Sequence, residues 1–384
     1  MIRLLFRRSV PLVLSLVLSS CTDIVEPNQL AFVLGTSIDP AEGGQIEVGH
    51  QIVIPTQKSG PFDGLSESSE GFVVLSATGR DVFEASEKVQ KKLSRKLMTS
   101  HRILIAISED FINKNDVSAL FDKLNRDPAN NERDVTVMIK GSAKQFLTLG
   151  HPMEHLSSIA ADKEMQVNGL KSFSTRQFII DSVSEGTRPL LPTLQIQNAK
   201  LSSKITTPIA QWSGYAFLNK RLKVKGALNE TEGSGVLWMS GKMMSQGLTV
   251  PWKDGKGALS FRLTHLRRQI RSGGNPEHVV LTVKAQAYLL ENTTSLDMSE
   301  VNNKRMAERY VNDQLQKDLQ AAMDKVRNWG TDAFGIGEHL HRKHPYWWKK
   351  QRDDWDDKFK SLNVTVKADI KLRSSGTSGA QLKP

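Results

Sequence analysis

Alternation of apolar and polar residues is clearest at the end of the chain. Leu362, Val364, Val366, Ala368, Ile370 and Leu372 fall on one side of a strand. Thr365, Lys367, Asp369, Lys371 and Arg373 fall on the other. One packed face and one wet face predict a strand of an antiparallel sheet covered by a helix. The covering helix is predicted just upstream, from about Ser299 to Trp329. Its stripe is Met306, Tyr310, Leu315, Leu319, Ala322, Val326 and Trp329, with Gly330 as its stop. Before it, His278 to Leu290 reads as a long strand with Leu281, Val283, Ala285, Ala287 and Leu289 on one face. Trp212 to Leu218 and Ala258 to Leu263 also have strand character.

The first half mixes the two periods. Leu30 to Gly35 and Gln45 to Ile54 read as strands around a turn near Pro40 to Gly44, followed by a Gly- and Ser-rich loop over 55–70. A helix is predicted over Thr78 to Leu93, with Thr78 and Asp81 as a capping pair and Val82, Ser86, Val89 and Leu93 on one face. Arg102 to Ile107 is a buried strand. Asp116 caps a helix carrying Val117, Leu120, Phe121 and Leu124, which stops at Asp127-Pro128. Asp134 to Lys140 alternates as a strand, and Ser142 to Leu149 and Thr175 to Val183 read as helices. Pro189-Leu190-Leu191-Pro192 leads into a strand ending at Lys200, and the polar stretch Ser202 to Pro208 marks a domain boundary. The fold class is α+β, with mixed or antiparallel sheets and covering helices.

The start of the chain follows a different logic. Arg3, Arg7 and Arg8 precede a nearly apolar stretch from Val10 to Leu18, which closes on Leu18-Ser19-Ser20-Cys21. That stretch is too short to cross a bilayer core of about 30 Å as a helix, so residues 1–20 read as a signal peptide. Small residues directly before a cysteine match the bacterial lipobox. Cys21 is therefore expected to become the lipid-carrying first residue, S-diacylglycerol and N-acyl modified. It is the only cysteine, which excludes an intramolecular disulfide and a CxxC metal or redox site. Losing the three arginines lowers the formal charge from +11 to +8. The cations are interleaved with acids, and an exported address removes nucleic acid as a partner.

Searches for chemistry fail in specific ways. Gly335-Ile336-Gly337-Glu338 begins like a dinucleotide fingerprint, but Leu340 stands at its sixth position and a helix precedes it. Gly235 to Gly241 with Lys242 has one residue too many for a phosphate loop, and Met243 replaces the magnesium-binding hydroxyl. The spacings of His339, His341 and His344 do not place three imidazoles on one helical face. His101 reads as a capping or core-edge hydrogen-bonding residue. Trp347-Trp348-Lys349-Lys350 reads as aromatic packing at the end of the sheet, with its lysines in water, in preference to an interfacial anchor. No catalytic residue, cofactor site or metal site is predicted.

Several segments together resemble the Ger(x)C family, the lipoprotein C subunits of spore germinant receptors. Asp332-Ala333-Phe334-Gly335-Ile336-Gly337-Glu338 through Arg342-Lys343-His344-Pro345 is similar to the family's D-x-F-G-x-G-E-x-x-x-R-K-x-P segment. Gly235-Val236-Leu237-Trp238 with Gly241-Lys242 resembles its G-x-L-W-x-x-G-K segment. Ser100-His101-Arg102, Arg126-Asp127-Pro128 and Leu191-Pro192 follow the family's order. Thr22 departs from it, since many members carry Trp after the lipidated cysteine.

The resemblance implies an N-terminal region over 21–200, a C-terminal region over 209–373 and three α+β subdomains; the tail over 374–384 reads as disordered from its own residues and its terminal position. The resemblance further implies a place on the outer face of the spore inner membrane, beside two integral-membrane receptor subunits (A and B type), and nutrient-triggered germination. It carries no catalytic residue. The rival expectation is a lipid-anchored solute-binding protein that captures the germinant itself, which needs a preformed pocket.

Overall fold

The computed structural model describes residues 26–54 and 71–374, apart from 128, 129, 172 and 254. Cys21 with its signal segment, the loop expected over 55–70, the helix stop at Pro128 and the tail beyond Ser374 lie outside the described residues.

Two sheets form the body. The first comprises β1 (Leu30–Pro40), β2 (Ile46–Val53), β3 (Phe72–Gly79), β4 (Lys96–Met98), β5 (Leu104–Ser108), β6 (Val135–Lys140), β7 (Leu190–Lys200), β8 (Thr206–Leu218) and β9 (Val224–Leu228). Its spatial order is β3-β2-β1-β5-β6-β7-β8-β9, and β4 pairs with the start of β1. The central run β1, β5, β6 and β7 is parallel, while both flanks are antiparallel. All five residues of β5 are buried, as expected of a parallel strand covered on both faces.

Helices α1 (Val82–Gln90), α2 (Glu109–Lys114), α3 (Val117–Arg126), α4 (Ala143–Thr148), α5 (Ser157–Val167) and α6 (Thr175–Val183) are threaded through this half. Asp116, Ser142 and Ser174 cap α3, α4 and α6 through Ser118 N, Gln145 N and Gln177 N. The first helix starts later than its periodicity implies. Thr78 lies in β3, opposite Glu47, and Asp81 caps Glu84 N at 2.8 Å. The Glu84 carboxylate reaches back to Arg80 N at 3.0 Å. The capping pair is thus Asp81 and Glu84, one turn beyond the pair expected.

The second sheet is β10 (Gln246–Pro251), β11 (Ala258–Ser272), β12 (His278–Asn292) and β13 (Asn363–Ser374). Leu281, Val283, Ala285, Ala287 and Leu289 are buried as the alternation requires. β13 runs parallel to β12, from His278↔Asn363 onward, so this sheet is mixed where antiparallel pairing was expected. The reason is the long connection. It carries the chain over the sheet through α8 (Val301–Asn328), α9 (Ile336–Lys343), α10 (Pro345–Gln351) and α11 (Trp355–Ser361), and re-enters at the end where β12 began.

One element that no amphipathic stripe marks, although Asn229 caps it through Glu232 N, joins the halves. Helix α7 (Glu230–Met239) carries Gly233 and Gly235. A Cβ on Gly233 would lie 2.1 Å from the Tyr215 ring of β8, and one on Gly235 would lie 2.7 Å from Leu319 of α8. The glycines let α7 sit between the first sheet and α8. A single apolar core consequently runs from Leu104 and Val137 through Val236 and Trp238 to Leu281 and Leu319.

Helix α8 also closes the outer edge of β13. Asn312 accepts from Ile370 N at 2.7 Å and donates to Ile370 O at 3.0 Å. Gln320 accepts from Val366 N at 2.8 Å and donates to Val364 O at 3.0 Å. Glu308 accepts from Leu372 N at 2.9 Å. Spacings of four and eight residues place these side chains along one flank of the helix. Substituting Asn312→Leu leaves both main-chain groups of Ile370 unpaired. It is expected to cost roughly 1–3 kcal/mol, read from the urea midpoint.

Candidate functional site

The segment Thr331–Pro345 forms a buried turn followed by α9, and its centre is Asp332. Its side chain is fully buried. Oδ1 accepts from Phe334 N at 3.1 Å and Ile336 N at 3.2 Å. Oδ2 accepts from Gly337 N at 2.7 Å and from the indole of Trp355 at 3.2 Å. Burial pushes its pKa up to about 6, against the opposing pull of those three backbone donors and of Arg188. Gly335 enters α9 in the left-handed region, at φ +71°.

This turn grips a loop from the first half. Arg188 N donates to Asp332 O at 2.8 Å, and the buried Arg188 side chain pairs with Asp356 at 2.5 Å. Glu338 accepts from the Ser184 hydroxyl and from Gly186 N. The indole of Trp348 donates to Glu185 at 3.2 Å. Gly337 and Gly186 meet backbone to backbone, so that a Cβ on Gly337 would lie 2.6 Å from the Gly186 Cα. Sequence reasoning missed Ser184, Gly186 and Arg188. They sit in an aperiodic loop about 150 residues before their partners, where no local pattern could flag them.

The other candidate residues take structural places. His339 and His344 bring their Nε2 atoms to one acceptor-donor, Ser272 Oγ, at 3.1 and 2.9 Å. They converge because the chain turns at His344 between α9 and α10, which a helical wheel does not anticipate. His341 stacks on Trp348 at 5.7 Å, so two imidazoles come together and the third does not. Among the described residues no group of three or more His, Cys, Asp or Glu could hold a metal ion.

His101 is exposed, with its ring 5.7 Å from Phe32, and no hydrogen bond of the expected capping or core-edge kind involves its side chain among the described residues. Its neighbour Arg102 is the buried one, paired with Asp134 at 2.6 Å. Trp348 and Trp355 are buried edge to face at 4.9 Å, and Lys349 and Lys350 are exposed. The Trp-Trp-Lys-Lys run is therefore packing. Gly241 and Lys242 form the C-cap of α7, through Gly241 N to Trp238 O and Lys242 N to Leu237 O, and Lys242 Nζ pairs with Asp181 at 2.8 Å. The hydroxyl that meets imidazoles here, Ser272 Oγ, is shared between His339 and His344, and among the described residues no carboxylate orients either ring. The chemistry of this arrangement is that of a hydrogen-bonded joint.

Fold and joint together define a two-sheet α+β protein whose distinctive segments hold its halves to each other. Residues 23–196 match the family model described as "Spore germination protein N-terminal domain". Residues 213–376 match "Spore germination B3/ GerAC like, C-terminal". The chain belongs to this family of spore germination proteins. It is 24% identical to spore germination protein KC of Bacillus subtilis (strain 168), over 96% of this chain and 95% of that protein. Spore germination protein B3 of the same organism is 22% identical, over 97% and 98%. The solved structure titled "Crystal Structure of the GerBC protein" superposes with a TM-score of 0.54 at 19% identity. That match covers 91% of this chain and 99% of the other, and supports the fold.

Proposed function

We propose that the protein is the lipid-anchored, non-catalytic C subunit of a nutrient germinant receptor, on the outer face of the spore inner membrane. The observation that carries this reading is the joint. Two of the segments by which the chain resembles its family, Asp332 to Pro345 and Gly235 to Lys242, lock the two halves into one body. Among the described residues no helix is long and apolar enough to cross a membrane. Membrane attachment then falls to Cys21, whose lipobox supplies acyl chains worth about 0.8 kcal/mol per buried CH₂. Tethering raises the local concentration of the body at two integral-membrane subunits, so that modest contacts stay occupied.

Cys21→Ala is expected to release the protein from the membrane fraction and to lower nutrient-triggered germination. Fractionation and spore optical-density assays read the two effects. Unchanged germination with a released protein defeats the tethering role.

A further inference from the structure

A cleft of about 360 Å³ opens beside the joint, where the end of β11 passes the C-cap of α7 and the start of α9. Four cations line it, Lys171, Lys242, Arg268 and Arg342, against two carboxylates, Asp181 and Glu338. The carboxylates are already engaged. Asp181 holds Lys242 and accepts from Gln177 at 2.8 Å, and Glu338 is bound to Ser184 and Gly186. Lys171 and Arg342 make no ion pair and no side-chain hydrogen bond among the described residues. The walls therefore carry an excess of two positive charges.

The cleft is built rather than incidental. Arg268 Nη1 is fixed by the carbonyls of Met239, at 3.1 Å, and Phe334. A left-handed glycine leaves room for that guanidinium, since a Cβ on Gly241 (φ +73°) would lie 3.0 Å from its Nε. Ser240 on the same wall is only 8% exposed, and its Oγ has no hydrogen-bond partner among the described residues. Buried hydroxyls are normally paired, so the fold leaves one polar group unsatisfied beside the cleft.

We propose that this cleft binds a phosphate group. A dianion neutralises the two excess charges, a fixed guanidinium offers a fork to its oxygens, and Lys171 and Arg342 are available to close on it. The assignment is independent of the receptor reading and would hold for a germination protein of any role. The phosphate could be inorganic or the headgroup of a lipid, and the two differ in what they carry beyond the cleft.

The test is calorimetric titration of the full chain in detergent micelles with inorganic phosphate, at ionic strength held constant with chloride. Saturable binding is expected, weakened roughly tenfold or more in the K171Q/R342Q double variant. Those two side chains hold nothing else in place, so the variant should keep its phosphate-free melting temperature; R342E alone provides a second reading if it does not. Heat that never saturates, or equal affinity in wild type and both variants, overturns the proposal. So does tighter binding of acetate or glutamate than of phosphate. Tighter binding of dihexanoyl phosphatidic acid than of inorganic phosphate supports the site with a lipid headgroup as its occupant. The reverse order supports it with free phosphate.

Discussion

Replacing Gly337 with alanine is expected to destabilise the protein by about 3 kcal/mol or more, the upper end of overpacking costs. The added methyl would meet Gly186 Cα and O at 2.6 Å and the Trp355 ring at 2.8 Å. Two of these neighbours are backbone, which has no rotamer to relieve the clash. Gly186→Ala meets Glu338 N at 2.4 Å and should cost a similar amount. Both methyls force the same two backbones apart, so the double variant should fall well short of additivity. Gly235→Ala is the contrasting case. Its obstacle is the terminal methyl of Leu319 at 2.7 Å, and alanine gains up to about 1 kcal/mol of helix propensity over glycine. Urea denaturation of the three single variants and the double checks the ranking. Equal midpoints for Gly235→Ala and Gly337→Ala would show that the joint tolerates separation.

The second large effect belongs to Asp332→Asn. Four donors converge on the carboxylate, and an amide presents its own N–H groups to two of them, for an expected loss of roughly 2–4 kcal/mol. The pH dependence has a definite sign. Folding raises this pKa from 3.8 to about 6, so between those values the native state keeps a proton that the unfolded chain has released. This contribution to stability is therefore full below about pH 4 and is lost as pH rises toward 6, up to about 3 kcal/mol in all. The asparagine variant lacks that component, and the stability gap between it and wild type should narrow as pH rises from 4 to 7. A gap that widens instead would mean that the hydrogen bonds, not burial, govern the ionisation of Asp332.

How legible the protein was in its sequence depends on what each element answers to. Helix α3 was readable because a side-chain cap and a one-sided apolar stripe coincide there. Strand β12 was readable because its buried and wet faces alternate strictly. Helix α7 was not, since it is wedged between two layers and is marked by glycines that normally argue against a helix. In β3, Thr78 stands three residues before Asp81 and imitates a helix cap, and only pairing with β2 reveals the strand, while Asp81 is itself the cap. The direction of β13 is set by where the connection re-enters the sheet, which no local pattern records. At the joint, Asp332, Gly337 and Glu338 stood out through family resemblance. Ser184, Gly186 and Arg188 acquire their roles only in three dimensions.

The row of side chains that α8 lays along β13 sets a limit on growth. An open strand edge invites the same edge of another molecule, and the hazard rises wherever copies are crowded on a surface. Here the invitation is withdrawn, because Asn312 and Gln320 present amides in the places a neighbouring strand would use. A second copy cannot register against a helix as it would against a strand. Any assembly through this sheet must therefore begin at its opposite margin, along β10, because the length of β11 beyond Leu263 is taken up by α7 and α9.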